Sequence, residues 1–373
     1  MPFPFRWLCE LLDQLESNSS KSPSIDKTRE LDAHTVLSWF NKHNEAIPRQ
    51  GPEAVAFLSC LFPERRPDRV FGLPTRQLEG IIQRAQCLGA SRMKDLQRWK
   101  TDNGSDFASC VERVMVVTDC EPRSSPAMTL DELDDIINRV AALSPFSSMN
   151  LKEVVERKFG RSARANDLIS GVFRHLHSSE AKWMVRMLSK NYGPAHVPEA
   201  LAMSQFHFLL PDLLRFQNSI QAAVGLLEKP TIRHMPIQPA ADAWDELKKV
   251  ASQELEPRVG IMTARPIYEK ARSIRHCCQL AGHRRMSVER KYDGEYCQIH
   301  INLSKSGACI KTSPRAGETL PAIVQDSTAH FGIVLNSIQA TARLRSGVYW
   351  RANYSCGTMT TEESSLSIKS AST

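Results

Sequence analysis

The chain has 373 residues, enough for two or three domains, and 42% of them are hydrophobic, so most of it can bury a core. The formal net charge is +7 and the pI about 8.9, a mildly basic balance that suggests a polyanionic partner. No apolar run approaches the length of a membrane span, which argues against a membrane protein.

The ten cysteines are scattered and form no C-x-x-C pair, which predicts reduced thiols in a cytosolic or nuclear compartment. The first ten residues are apolar but are interrupted by Arg6 and Glu10, so they are not typical of a signal peptide. The eleven histidines are dispersed and none pairs with Cys or Asp at a metal-ligand spacing. The sequence therefore predicts no metal site built by the protein alone.

From residue 1 to about 252 the pattern is helical almost throughout. The clearest case starts at Thr129, where Thr129 and Glu132 fit a capping box. Apolar residues follow at helical spacing: Leu130, Leu133, Ile136, Ile137, Val140 and Leu143. Similar amphipathic segments lie near 5–16, 30–42, 52–62, 74–89, 105–117, 164–176, 180–190 and 211–227. The tryptophans Trp7, Trp39 and Trp183 lie on such helices and are expected in the core.

The pattern changes after the helical region. Three prolines within 228–241 predict an extended connector, and a short helix is predicted at about 242–254. Strict alternation from Tyr296 to Leu303 predicts a half-buried β-strand, and Ala308 to Lys311 is a candidate return strand of a hairpin. The Ser/Thr-rich end, 352–373, contains few large apolar groups and is predicted to be disordered.

A K-x-D-G tetrapeptide starts at Lys291, just before that alternating strand. Eight Lys/Arg and only two acids lie between Ile261 and Lys291, which favours a phosphate-binding stretch over a merely solvated basic face. A lysine amine attacks a phosphate only when it is neutral, and its ordinary pKa of about 10.4 falls when it is partly buried or lies near other cations. Lys291 is therefore a candidate nucleophile.

The run Glu289-Arg-Lys-Tyr-Asp-Gly-Glu295 resembles motif I of the ATP-dependent DNA ligases, within the covalent nucleotidyltransferase superfamily. Arg258–Pro266 resembles the segment that leads into the adenylation domain, and Ala181–Leu188 resembles a helix of the N-terminal DNA-binding domain, notably in the end-joining branch (DNA ligase IV). The sequence from Lys291 to His300 is similar to that of fungal ligase-like proteins. The resemblance covers roughly residues 5 to 317.

The resemblance implies an all-α N-terminal DNA-binding domain followed by an incomplete α+β nucleotidyltransferase domain, an ATP-grasp-like adenylation domain. The expected divisions are a helical domain at 1–228, a linker and short helix at 229–254, a partial adenylation domain at 255–345 and a disordered tail at 346–373.

The resemblance also implies chemistry. Lys291 would attack the α-phosphate of ATP and form lysyl-AMP, AMP would pass to the 5′-phosphate of a DNA nick, and the 3′-hydroxyl would then seal the strand. Magnesium would neutralise the transferring phosphates. The residues implied to bind the nucleotide are Glu289, Asp293, Gly294, Tyr296 and Arg315. Ser304–Gly307 is an alternative position for the motif that contains Arg315.

The implied partner is duplex DNA with nicks or broken ends, bound through its backbone without reading sequence. End-joining repair proteins are further candidate partners, and the implied setting is repair or recombination in the nucleus, away from any membrane. The basic residues proposed for DNA contact are Arg157, Lys158, Arg161, Arg164, Arg284 and Arg285.

Three departures from the family pattern leave alternatives open. Tyr296 stands where the family usually has arginine, and Pro314 interrupts the motif at Arg315. The later Glu, Glu-Gly and K-x-K motifs are not found between Gln325 and Thr373, so we expect the front part of a ligase, whose activity alone is doubtful. A non-catalytic DNA-binding remnant is one alternative. An RNA ligase or an mRNA-capping guanylyltransferase is another, disfavoured by the long helical region before Lys291.

Overall fold

The computed structural model describes residues 2–21, 24–101, 106–119, 127–160, 164–255, 264 and 272–282, and the backbone of the strands 295–302, 309–313 and 348–354. The chain divides into two compact units. The first comprises Met1–Leu213 with Ser219–Glu254, and the second comprises Leu214–Asn218 with Leu255–Thr373. Among the described residues, no helix combines the length and apolar character that crossing a membrane would require.

The described helices up to residue 255 follow one another closely. In chain order they are α1 (Phe5–Lys21), α2 (Ile25–Lys42), α3 (Gly51–Leu61), α4 (Thr75–Ala85), α5 (Ala90–Leu96), α6 (Phe107–Met115), α7 (Leu130–Ala142), α8 (Met149–Phe159), α9 (Ala165–Phe173), α10 (Ser178–Leu188), α11 (Glu199–Phe206), α12 (Leu210–Phe216), α13 (Ile220–Leu227) and α14 (Trp244–Val250).

Helix α7 begins where its sequence predicts. The Thr129 N–H donates to the Glu132 carboxylate at 3.0 Å, and the Glu132 N–H donates to the Thr129 hydroxyl at 3.5 Å, so both halves of the capping box are present. Four of the predicted apolar residues are buried, whereas Leu143, directly after the last residue of the helix, is 44% exposed; the buried ones are Leu130, Leu133, Ile137 and Val140. Neighbouring residues alone are therefore enough to locate both the start of α7 and its buried face.

The core of the first unit lies where α3 packs against α7 and α13, and where α10 packs against α1 and α6. Phe3, Trp39 and Phe57 are buried there with their rings in mutual contact. Trp39 and Trp183 are in the core as predicted, whereas Trp7 is half-buried. Further out, α2 packs on α1 and α11, and α4 packs on α9.

Some helices differ from the sequence prediction. The single segment predicted at 211–227 is two helices, because the Ser219 hydroxyl caps the first turn of α13 by accepting from the Ala222 N–H at 3.3 Å. Three helices, α5, α8 and α11, were not predicted. They are short, and α8 has apolar residues on its exposed side as well as its buried side, which obscures the period of 3.6 residues.

The predicted connector is part of the first unit. Residues 229–240 contain no helix or strand, as the prolines predict, but Ile232 is fully buried and the Phe208 N–H donates to the Ile237 carbonyl at 3.0 Å. The helix predicted at about 242–254 is α14 with a short 3₁₀ turn at each end, and its Lys248 pairs with Asp212 at 2.7 Å. This segment therefore extends the helical unit.

The second unit contains helix α15 (Ile274–Ala281) and three strands, β1 (Glu295–Asn302), β2 (Cys309–Ser313) and β3 (Val348–Tyr354). β1 lies at the centre and pairs antiparallel with both neighbours, in the order β2-β1-β3. β1 and β2 occupy the positions predicted for a strand and its return strand. β3 lies in the segment for which the sequence predicts a disordered tail, and it contains three aromatic residues, which favour a strand.

Candidate nucleic-acid interface

Helix α10 contains the Ala181–Leu188 segment that resembles a ligase helix, and its two basic residues, Lys182 and Arg186, are buried. The Lys182 side chain is only 5% exposed, and its ammonium lies 2.8 Å from Asp13, 2.9 Å from Glu16 and 3.2 Å from Glu112. Burial lowers the pKa of Lys182, but hydrogen bonds to Asp13 and Glu16 outweigh it and hold the pKa above its ordinary value. Lys182 is therefore a charged internal cross-link between α1, α6 and α10.

Two further side chains of α10 join this cluster. Arg186 is 4% exposed and lies 2.8 Å from Glu16 and 3.1 Å from Asp106. The Trp183 indole N–H donates to Asp13 at 2.9 Å, and its ring lies 4.8 Å from the Lys182 ammonium and 4.7 Å from the Arg186 guanidinium. We call Lys182, Trp183, Arg186 and their four carboxylates the α10 cluster. Its cations face carboxylates inside the protein and are not available to DNA.

The arginines that follow α3 are also engaged in the fold. Arg65 pairs with Glu199, and Arg66 makes a two-pronged contact with Asp68, both bonds 2.8 Å long. Arg69 is buried and lies 2.6 Å from Asp134. The pairs of Arg65 and Arg69 connect the segment between α3 and α4 to α11 and α7, and the pair of Arg66 lies within that segment. A run of arginines in the sequence is thus not, by itself, a DNA-binding surface.

The residues proposed for DNA contact near α8 are different, because they lie on the surface. Arg157 is exposed in the last turn of α8, and Arg164 is exposed directly before α9. Lys158 is 56% exposed and is 2.7 Å from Asp135. Helix α7 contacts both α8 and α9, so these basic residues extend from neighbouring elements. Arg161, Arg284 and Arg285 lie outside the described residues.

The first turns of α4 and α9 meet next to these residues. The Gln77 side-chain amide donates to Asn166 at 3.3 Å, which joins the third residue of α4 to the second residue of α9. Neither helix has a side-chain cap, unlike α7 and α8. Uncapped N-terminal N–H groups carry partial positive charge and suit a phosphate oxygen.

Arg76, the second residue of α4, is exposed at the same place. It was not among the residues proposed for DNA contact, since it is an isolated arginine in the sequence and only the contact between α4 and α9 relates it to Arg164. We call Arg76, Arg157, Lys158 and Arg164 the basic face. Its four cations are exposed, and it includes two paired helix N-termini, an arrangement suited to a polyanion rather than to a small apolar ligand.

The residues proposed for nucleotide chemistry follow the helical unit in the sequence. Lys291, Glu289, Asp293, Gly294 and Arg315 lie outside the described residues. Tyr296 lies in β1, where its backbone is opposite Asn353 of β3. Among the described residues, no group of three or more His, Cys, Asp and Glu side chains is arranged to hold a metal ion.

The first half of the chain matches the sequence model of a known family. The sequence model of the family described as DNA ligase N terminus matches residues 4–194, just over half of the chain. The matched segment includes the α10 cluster and all four cations of the basic face. A comparison with curated proteins finds no match.

Proposed function

Since this chain belongs to the DNA ligase N-terminus family, we propose that its helical unit binds duplex DNA through the basic face, without reading base sequence. The observation that supports this most directly is the division of the cations. Those of the α10 cluster are neutralised inside the protein, while Arg76 and Arg164 remain exposed at two uncapped helix N-termini and Arg157 is exposed in the last turn of α8. Phosphate contacts of this kind position a protein on DNA but carry no sequence information.

We further propose that Lys291 performs the first step of strand joining. Its neutral amine would attack the α-phosphate of ATP, form a phosphorus–nitrogen bond and release pyrophosphate. The amine's proton must leave during this step, and Mg²⁺ would neutralise the transferring phosphates. AMP would then activate a 5′-phosphate that a 3′-hydroxyl attacks, which seals the strand and releases AMP. Glu289, Asp293, Gly294, Tyr296 and Arg315 would surround the nucleotide.

The setting proposed for this activity is nuclear DNA repair or recombination, with end-joining proteins as partners. The support is the sequence resemblance of the Ala181–Leu188 helix and of the run around Lys291 to the end-joining branch and to fungal ligase-like proteins.

DNA binding by the basic face is tested by salt titration. The variant Arg76→Gln/Arg157→Gln/Arg164→Gln should bind a 30-base-pair duplex more weakly, and the slope of log K against log salt should become shallower by about 0.9 for each phosphate that the variant no longer neutralises. The matched control is Arg98→Gln, an exposed arginine that is paired with Asp95 outside the basic face. Equal slopes for the wild-type chain, the triple variant and the control would reject this surface.

Adenylation is tested separately. The chain is incubated with α-labelled ATP and Mg²⁺, and a covalent label that is absent in Lys291→Ala supports the ligase chemistry. Label from GTP instead would indicate a capping-type guanylyltransferase. No label from either nucleotide, together with salt-dependent duplex binding, would indicate a non-catalytic DNA-binding protein.

A further inference from the structure

The loop between α7 and α8 presents two large apolar side chains to solvent. Phe146 is 73% exposed and Met149, the first residue of α8, is 67% exposed. Leu143 and Val154, on either side of them in the sequence, are also exposed, though less so. Exposing a phenylalanine to this extent forgoes the free energy of burying it, so a group of such residues suggests a surface that another molecule covers.

The backbone that holds Phe146 is fixed on both sides. The Ser147 hydroxyl accepts from the Val70 N–H at 2.9 Å and donates to the Val70 carbonyl at 3.1 Å. The Ser148 N–H donates to the Asp68 carbonyl at 3.0 Å. The Lys152 ammonium donates to the Pro145 carbonyl at 2.9 Å. Phe146 therefore projects from a loop that is already ordered, and ordering this loop would cost little on binding.

The size of the patch argues against a protein partner. Four partly exposed side chains offer only a few hundred square ångströms, whereas a stable protein–protein interface buries roughly 800 Å² on each partner. A second copy of the chain would need the same area. By contrast, proteins that enter the minor groove of DNA use one or two apolar side chains such as Phe, Leu or Met as a wedge between base steps.

The charges around the patch favour DNA. Between Arg139 and Arg174, the described residues include six basic and three acidic side chains. Lys152 lies directly behind the loop. The exposed side of α8 leads from Met149 to Arg157 of the basic face, about 12 Å along the helix axis. That distance exceeds the minor-groove width of about 6 Å and so spans a minor groove and a flanking backbone, which brings a duplex on the basic face within reach of Phe146.

We propose that Phe146, supported by Met149, is an apolar wedge that enters the minor groove and bends the duplex bound to the basic face. This inference rests on the proposed DNA-binding function. A nick is the favoured place for such a wedge, because the backbone of one strand is already broken there and less free energy is needed to open the step.

The experiment uses the full chain and a 30-base-pair duplex with a central nick and a fluorophore at each end. Wild-type protein should increase energy transfer between the two ends, since wedges of this kind bend DNA by about 20–90°. Phe146→Ala should bind about tenfold more weakly, the effect expected when one aromatic ring no longer stacks on a base. It should abolish the increase in energy transfer and keep the wild-type salt slope, because every phosphate contact is retained.

Ile25→Ala is the matched control, because Ile25 is 74% exposed on α2, outside the patch, and this variant should behave as the wild type does. Met149→Ala should give a smaller reduction in the same direction, which guards against a folding defect specific to one variant.

Wild-type affinity and energy transfer in Phe146→Ala would overturn the wedge while the basic face stands. Dimerisation in sedimentation that Phe146→Ala abolishes would overturn it in favour of a second copy. Wild-type protein that shows no salt-dependent binding would instead reject the proposed function itself.

Discussion

The α10 cluster and the basic face contain the same types of side chain in opposite surroundings. Lys182 and Arg186 are almost fully buried and contact carboxylates from α1 and α6 and from the residue before α6, whereas Arg157 and Arg164 are exposed to solvent. Buried cations bonded to carboxylates cross-link the fold, and exposed ones remain able to contact a phosphate. In this unit burial, rather than the identity of the residue, therefore separates a structural cation from a candidate DNA contact.

Removing Lys182 should have the largest effect. Lys182→Ala leaves Asp13, Glu16 and Glu112 together without their shared cation. We expect a decrease of about 3 kcal/mol in the free energy of unfolding, the lower end for a broken buried pair, because the three carboxylates keep between 26% and 39% of their side chains exposed. Chemical denaturation of the full chain measures this. A decrease below about 1 kcal/mol would show that the cluster is not a structural cross-link.

A buried histidine should make the helical unit sensitive to acid. Burial, assisted by the charge of Arg49, lowers the pKa of His207 to about 4, and its Nδ1 atom accepts from the Leu209 N–H at 3.2 Å. Because the folded-state pKa is below the ordinary value of 6.5, the neutral His207 side chain contributes to the free energy of unfolding, and this contribution is fully present above pH 6.5. It disappears as the pH falls from 6.5 to about 4, because the unfolded chain binds the proton first.

The expected decrease in the free energy of unfolding is about 3 kcal/mol at pH 4. His207→Asn, which keeps an acceptor for the Leu209 N–H, should flatten the pH dependence of the unfolding free energy in this range. If His207→Asn and the wild type have the same pH profile, protonation of His207 does not limit the stability.

Removing a cation of the basic face should have the smallest effect on folding. Lys158→Gln breaks an exposed pair with Asp135 and a contact with the Phe159 ring, whose centroid lies 5.1 Å from the ammonium, so the free energy of unfolding should change by less than about 1 kcal/mol. Affinity for duplex DNA should nevertheless fall, and the salt slope should become shallower by about the value of one phosphate. A destabilisation as large as that of Lys182→Ala would show that the cations of the basic face stabilise the fold as much as those of the α10 cluster do.

The second unit shows the limit of what a local pattern can predict. Alternation was sufficient to locate β1, since every second residue of a half-buried strand is apolar. It did not locate β3, which is related to β1 by long-range pairing such as Ile299 with Trp350. Strand partners far apart in sequence leave little local signal.

The amino-acid sequence by itself determined the helical character of the first unit, the capping box at the start of α7, the core positions of Trp39 and Trp183, and the resemblance to DNA ligases. These features depend on residues within a few positions of one another. Only the tertiary structure decided which cations are internal and which are exposed. Lys182 and Asp13 are 169 residues apart, and α4 meets α9 across 89 residues at Gln77 and Asn166. The sequence around a lysine is similar whether the lysine is buried or exposed. The fold decides which groups surround it, and these decide whether it cross-links the protein or can contact a phosphate.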